Sequence, residues 1–133
     1  MSCIASQLYH CYSWSMNKPI QLLLPWPPSV NNYWLARGNT RFISAAGKAF
    51  RRDVADICAD ASIVGLEGRL AVHVALFPPD KRARDIDNIL KALLDACEHA
   101  GCYISDNQID ELHVIRQDVQ RGGRCTILIL PIT

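Results

Sequence analysis

Asp80, Asp85 and Asp87 alternate with Lys81, Arg82, Arg84 and Lys91 between Pro78 and Lys91, next to segments that are otherwise apolar. Carboxylates interleaved with cations suit a site that holds metal ions and a polyanion together. The spacing predicts Asp85 at a helix N-cap and Asp87 in the first turn, where side-chain oxygens meet free backbone N–H groups and the positive end of the helix dipole. Lys91 follows Asp87 by four residues and so shares its helical face. Ile86, Ile89, Leu90, Leu93, Leu94 and Cys97 form the opposite, apolar stripe, and Gly101 supplies the stop. The short apolar run Cys102 to Ile104 then leads the chain back along the helix, returning Asp106 toward its start. On this reading three carboxylates and one lysine converge.

The same residues have a plainer reading. An Asp-x-Asp ahead of a helix is commonly a cap plus a dipole partner, and a carboxylate four residues before a lysine is commonly a solvated ion pair worth about 0.3 to 0.5 kcal/mol. Spacing alone leaves both readings open.

A wider pattern adds to it. Leu24 to Trp34 (LPWPPSVNNYW), Ser44 to Arg51 (SAAGKAFR), Arg84 to Ala96 (RDIDNILKALLDA) and Gly101 to Ile109 (GCYISDNQI) occur in this order and at these separations. In that order the segments resemble the RusA family of Holliday junction resolvases, small metal-dependent endonucleases of bacteria and their phages, and the likeness runs from Pro19 nearly to the C-terminus. The resemblance implies that Asp85, Asp87 and Asp106 are metal ligands and that Lys91 is the essential lysine, these four forming the catalytic set. It implies homodimers that act on four-way junction DNA. One departure is visible: Ser105 stands where relatives often carry a second acid just before the D-x-Q. That bears on an auxiliary role at this position and leaves Asp106 in place.

The elements that must position these residues follow from patterning. A chain of 133 residues is one domain, and 14 Lys and Arg against 13 Asp and Glu leave a net charge of only +1. Metal on three of the acids would leave a distinctly basic face for DNA. Six cysteines, Cys3, Cys11, Cys58, Cys97, Cys102 and Cys125, raise the question of disulfides. The first 15 residues have neither a basic start nor an apolar core, so a reduced cytoplasm is expected, with buried free thiols in preference to a zinc site at Cys97, His99, Cys102 and His113. No stretch approaches transmembrane length. Residues 1–18 are Ser-rich and weakly patterned, and read as an extension that carries no chemistry, with Met16 a candidate start.

Ile20 to Leu24 reads as a strand stopped by Pro25, Pro27 and Pro28. An aromatic, amide-rich loop follows, in which Trp26 covers a core edge while Asn31, Tyr33 and Trp34 are placed to meet unstacked bases or DNA backbone. Ser44 caps a helix to about Ser62, with Phe50, Val54, Ile57, Cys58 and Ala61 buried and Lys48, Arg51 and Arg52 off that stripe. Leu70 to Phe77 is apolar on both faces, as a central strand is, with His73 a tolerated strand histidine. Ile109 to Val119 is a longer half-exposed strand, Arg121 to Arg124 a hairpin turn, and Cys125 to Leu130 a closing strand.

These elements predict an α+β domain over residues 19–133, a mixed sheet covered by two main helices. The resemblance implies metal-dependent cleavage of junction DNA, and hard oxygen ligands select Mg²⁺ with Mn²⁺ as a substitute. Lys81, Arg82, Arg84, Asn31, Tyr33, Trp34, Arg51 and Arg52 are the expected DNA contacts. A phosphotransferase of the Asp-x-Asp nucleophile type fits less well, since its acids sit directly at a strand end and Pro78 to Arg84 intervenes here. A non-catalytic branched-DNA-binding module is the remaining alternative.

Overall fold

Alternation decides which side of each strand turns inward. In the computed structural model, which describes residues 18–132, β1 (Ile20–Pro25) buries Ile20, Leu22 and Leu24 and leaves Leu23 exposed. β4 (Leu70–Phe77) buries Leu70, Val72, Val74 and Leu76, and β6 (Arg124–Pro131) buries Cys125, Ile127 and Ile129. Each such aliphatic side chain contributes about 1.5 to 3 kcal/mol on leaving water. The sheet order is β1-β6-β4-β5, with β5 (Ile109–Arg116) at one edge. β4 pairs antiparallel with β6 and parallel with β5, so the sheet is mixed and β4 lies inside it, with His73 exposed on the face away from the helices.

Two long helices close the inward face. α2 (Ala45–Asp60) contributes Phe50, Val54 and Cys58, and α3 (Leu90–His99) contributes Leu93, Ala96 and Cys97, all within one cluster with the inward strand residues. Ser44 caps α2 by accepting from Gly47 N at 3.0 Å, and Ala61, just past the helix, is exposed. α3 is the crossover that two adjacent parallel strands need, and Gly101 (φ +90°) ends it in the left-handed conformation that glycine adopts without strain. Four cysteines, Cys58, Cys97, Cys102 and Cys125, are buried free thiols. The remaining part of the expected extension, 1–17, lies outside the described residues.

Three expectations need correction. β5 and β6 are not a hairpin: the loop after Arg116 crosses the end of β4, held by Gln117 N to Leu76 O (2.7 Å) and Gln120 N to Pro78 O (2.8 Å), and delivers β6 between β1 and β4. The aromatic stretch is not a loop: it forms α1 (Val30–Tyr33) and a hairpin of β2 (Trp34–Arg37) and β3 (Thr40–Ile43), turned at Gly38 (φ +61°). Finally, the helix expected from Asp85 begins only at Leu90. Asp85 to Ile89 instead form successive turns, in which Asn88 N donates to Asp85 O and Leu90 N to Asp87 O, both at 3.2 Å.

Candidate active site

The late helix start has a tertiary cause. Val30 N donates to Asn88 O at 2.7 Å, engaging the carbonyl that would otherwise begin the next helical hydrogen bond, and the first bond of α3 is Leu93 N to Ile89 O. No side chain caps α3 and no acid lies in its first turn. Asp85 and Asp87 are exposed, and among the described residues neither carboxylate has a hydrogen-bond donor or a cation as partner. The capping role expected of Asp85 is therefore absent, and Ile86, expected on the buried stripe, is exposed.

Asp106 reaches the start of α3. Its Oδ2 lies 3.8 Å from Lys91 Nζ, so Lys91 pairs with Asp106 and not with Asp87. The 3-10 turn Asp106–Gln108 is built for this placement. Ser105 Oγ accepts from Asn107 N, while Gln108 Oε1 accepts from Ser105 N (3.0 Å) and Ile104 N (2.9 Å), a reciprocal cap. Gln108 Nε2 donates to Leu66 O and Gly68 O, and Glu98 on α3 accepts from Asp106 N at 2.8 Å. Sequence reasoning missed Gln108 and Glu98 as supports, although Ser-x-x-Gln was the available signal. It also leaves Ser105 a definite task as the cap.

Not every expected contact residue faces solvent. Arg84 is turned inward: its Nη1 donates to Asp80 Oδ1 (2.9 Å) and to the carbonyls of Asp80 and Arg82 (both 3.2 Å), over the Trp26 ring. Arg116 Nη2 donates to Arg84 O at 2.6 Å, completing a brace for the turn that carries Asp85. The Arg84 guanidinium, with Arg82 N donating to Asp80 Oδ1 at 2.9 Å, holds the Asp80 carboxyl below its usual range. Lys81, Arg82, Asn31 and Arg52 are exposed.

Tyr33 requires correction as a base-stacking residue because it is fully buried. Its hydroxyl donates to Asp95 on α3; Arg51 Nε donates to that hydroxyl (2.8 Å) and to Asp95 Oδ2 (3.0 Å), and Arg51 Nη2 to the same oxygen (2.5 Å). Arg51 is thus committed to tying α1, α2 and α3 together. Burial, with Asp95 as acceptor, pushes the Tyr33 phenol up to about 12. Burial alone would raise the Asp95 carboxyl, but the bonds from Tyr33 and Arg51 outweigh it and hold it below its usual range. Trp34, half-buried, packs edge-on against Tyr33 with Arg41 over its ring.

Asp85, Asn88, Asn32, Arg82 and Arg84 line a groove of about 300 Å³ floored by Trp26. As donors, Asp85, Asp87 and Asp106 are hard carboxylates and suit Mg²⁺ or Mn²⁺ in type. Among the described residues, however, no three Asp, Glu, His or Cys side chains stand close enough to hold an ion, so the three expected ligands are not assembled as a closed shell.

Fold and site define a small α+β domain in which the unpartnered Asp85 lines an open groove with Arg82 and Arg84, and the unpartnered Asp87 follows two residues on, chemistry suited to a phosphate ester beside a cation. The family described as endodeoxyribonuclease RusA matches residues 25–129, and the chain belongs to it. The crossover junction endodeoxyribonuclease of enterobacteria phage HK97 is 44% identical over 110 residues, covering 82% of this chain and 92% of that protein. The proteins of the same name from Escherichia coli K12 and enterobacteria phage 82 are each 37% identical over 109 residues, covering 81% of this chain and 91% of theirs. No helix among the described residues is long and apolar enough to cross a membrane.

Proposed function

We propose that this protein is a divalent-metal-dependent endonuclease that resolves four-way DNA junctions by paired nicks in the cytoplasm. The observation that carries the reading is the pair Asp85 and Asp87, exposed and without protein partners, at the head of the helix that brings Lys91 to Asp106. Carboxylates left without donors or cations on a braced turn are poor structural devices and good ligands for an ion from solution. The relatives' name, crossover junction endodeoxyribonuclease, supports branched DNA as the substrate.

Asp85, Asp87 and Asp106 would hold Mg²⁺ or Mn²⁺ by drawing closer than they stand in this structure, where the three form no shell. Once bound, such an ion supplies Lewis acidity at the scissile phosphate and a more acidic water for in-line attack. Lys91 stabilises charge developing on the phosphate, and its approach to Asp106 keeps it over the site. Lys81, Arg82 and Arg52, exposed and basic, hold flanking phosphates.

Two nicks in strands of like polarity call for two sites, hence a homodimer. Leu23, Thr126, Ala75 and Ile115 form one row across the sheet, by register, on the side away from the helices. Leu23 is 53% and Ile115 58% exposed, so the row ends on open apolar side chains with Thr126 and Ala75 between them, a surface suited to a second copy. Incubation of a labelled junction with and without Mg²⁺ tests the activity. Mg²⁺-dependent paired incision supports it, and binding without incision in any divalent ion would favour the non-catalytic module.

A further inference from the structure

The acids of this chain are segregated. Residues 1–52 contain no Asp or Glu but carry Lys18, Arg37, Arg41, Lys48, Arg51 and Arg52, whereas 53–133 hold all 13 acids. Within the basic part, the β2–β3 hairpin carries two arginines that no carboxylate engages among the described residues. No ion pair or hydrogen bond ties the Arg37 or Arg41 guanidinium to another group among the described residues.

Both are nevertheless placed. Arg41 Cζ lies 4.7 Å from the centre of the Trp34 ring and Arg37 Cζ 5.8 Å from that of Phe42. Trp34 pairs with Ile43 and Arg37 with Thr40, so each stack is a diagonal neighbour pair, and alternation puts the two stacks on opposite faces of the ribbon. A guanidinium resting on a ring keeps its edge N–H groups free for phosphate oxygens and loses less conformational freedom on binding. The base of the ribbon is fixed as well: Ser44 N donates to Tyr33 O at 2.9 Å, and Tyr33 is tied to Asp95, one turn beyond Lys91 on α3.

We infer that the β2–β3 hairpin is a DNA-binding ribbon that lies between two phosphate backbones, with Arg41 contacting one and Arg37 the other. A two-stranded ribbon fits the major groove of a duplex, whose phosphates flank it on both sides. The ligand is therefore one duplex arm of the substrate, engaged apart from the carboxylates, and Trp34 acts by presenting Arg41. This assignment rests on the nuclease reading for its substrate, but not for its charge geometry.

The test uses the full chain with a labelled four-way junction and a linear duplex of one arm sequence, in Ca²⁺ over a salt series, followed by cleavage in Mg²⁺. Arg37→Ala/Arg41→Ala should weaken binding to both DNAs about tenfold and flatten the log affinity against log salt slope by about 1.8, two phosphate contacts at 0.9 each. The KM for cleavage should rise with kcat kept. Arg37→Lys/Arg41→Lys should keep the slope but lose several-fold in affinity, since the lysines lack the planar stack. An unchanged slope in the alanine variant, lysine variants binding like wild type, or wild-type protein that binds neither DNA would overturn the ribbon. Wild-type binding to duplex but not to junction would sink the junction reading alone, with the slope on duplex still deciding the ribbon.

Discussion

Lys91 on α3 and Asp106 on the 3-10 turn bring opposite charges to 3.8 Å, and both remain substantially open to solvent. An exposed pair of this kind contributes about 0 to 1 kcal/mol to folding, so its placement matters mainly for what binds there. Lys91→Ala should leave the melting temperature within a degree or two while lowering the single-turnover rate on a junction about a hundredfold or more. Normal cleavage by this variant would reduce the pair to a surface ion pair.

Gln108 should act on the reaction through Asp106. Gln108→Ala removes the acceptor for Ser105 N and Ile104 N and the donor to Leu66 O and Gly68 O, at a cost of about 1 to 2 kcal/mol. The expected outcome is a lower kcat with KM little changed, and Gln108→Glu, which keeps the acceptor but sets a carboxylate oxygen against the Leu66 and Gly68 carbonyls, should not restore it. A wild-type kcat in Gln108→Ala would show that the reciprocal cap does not position Asp106.

The Tyr33–Arg51–Asp95 network should show in the pH dependence of stability. Asp95 has a lowered carboxyl in the folded state, so it stabilises above the ordinary carboxylate range and this contribution is lost as pH falls through the lowered value. Tyr33 is raised to about 12, so its contribution is complete below the ordinary phenol value near 10 and is lost as pH rises toward 12. Denaturant melts of Asp95→Asn should be flatter than wild type below about pH 4, and those of Tyr33→Phe flatter above about pH 10. Parallel curves would contradict the network.

Gly47 is set by contact and not by φ. A Cβ there would stand 2.6 Å from Ile43 Cγ2, 2.9 Å from Tyr33 Cδ1 and 3.0 Å from Tyr33 O. Gly47→Ala should destabilise by about 1 to 3 kcal/mol, read as a lower urea midpoint, because both neighbours are held by the hairpin base. A more stable variant would mean that the hairpin is free to shift.

What could be read from the sequence divides along local and tertiary lines. The three large-sheet strands with regular alternation, the Ser44 cap and the Gly101 stop are local signals, and all appear where the residues put them. The approach of Asp106 to Lys91 followed from counting the chain back along α3. The Asp85 cap is absent: Asn88 N donates to the Asp85 backbone carbonyl, and Val30, far away in sequence, holds Asn88 O. Tyr33 and Arg51 looked like surface chemistry because their partner Asp95 lies on a helix that only the fold brings near. The β2–β3 hairpin was the avoidable miss: Gly38-Asn39 between two runs of strand formers is a two-residue turn signal.

The central claim is that Asp85 and Asp87 are free to take a divalent ion because the fold gives them nothing else to do. Asp87→Asn should fold as wild type by circular dichroism, bind a four-way junction at least as tightly because a like charge facing phosphate is removed, and lose Mg²⁺-dependent cleavage by about a thousandfold or more. Isothermal titration with Mn²⁺ should show the same variant losing the ion bound by wild type. An Asp87→Asn protein that cuts junctions normally in Mg²⁺, or one that fails to fold, would contradict the account.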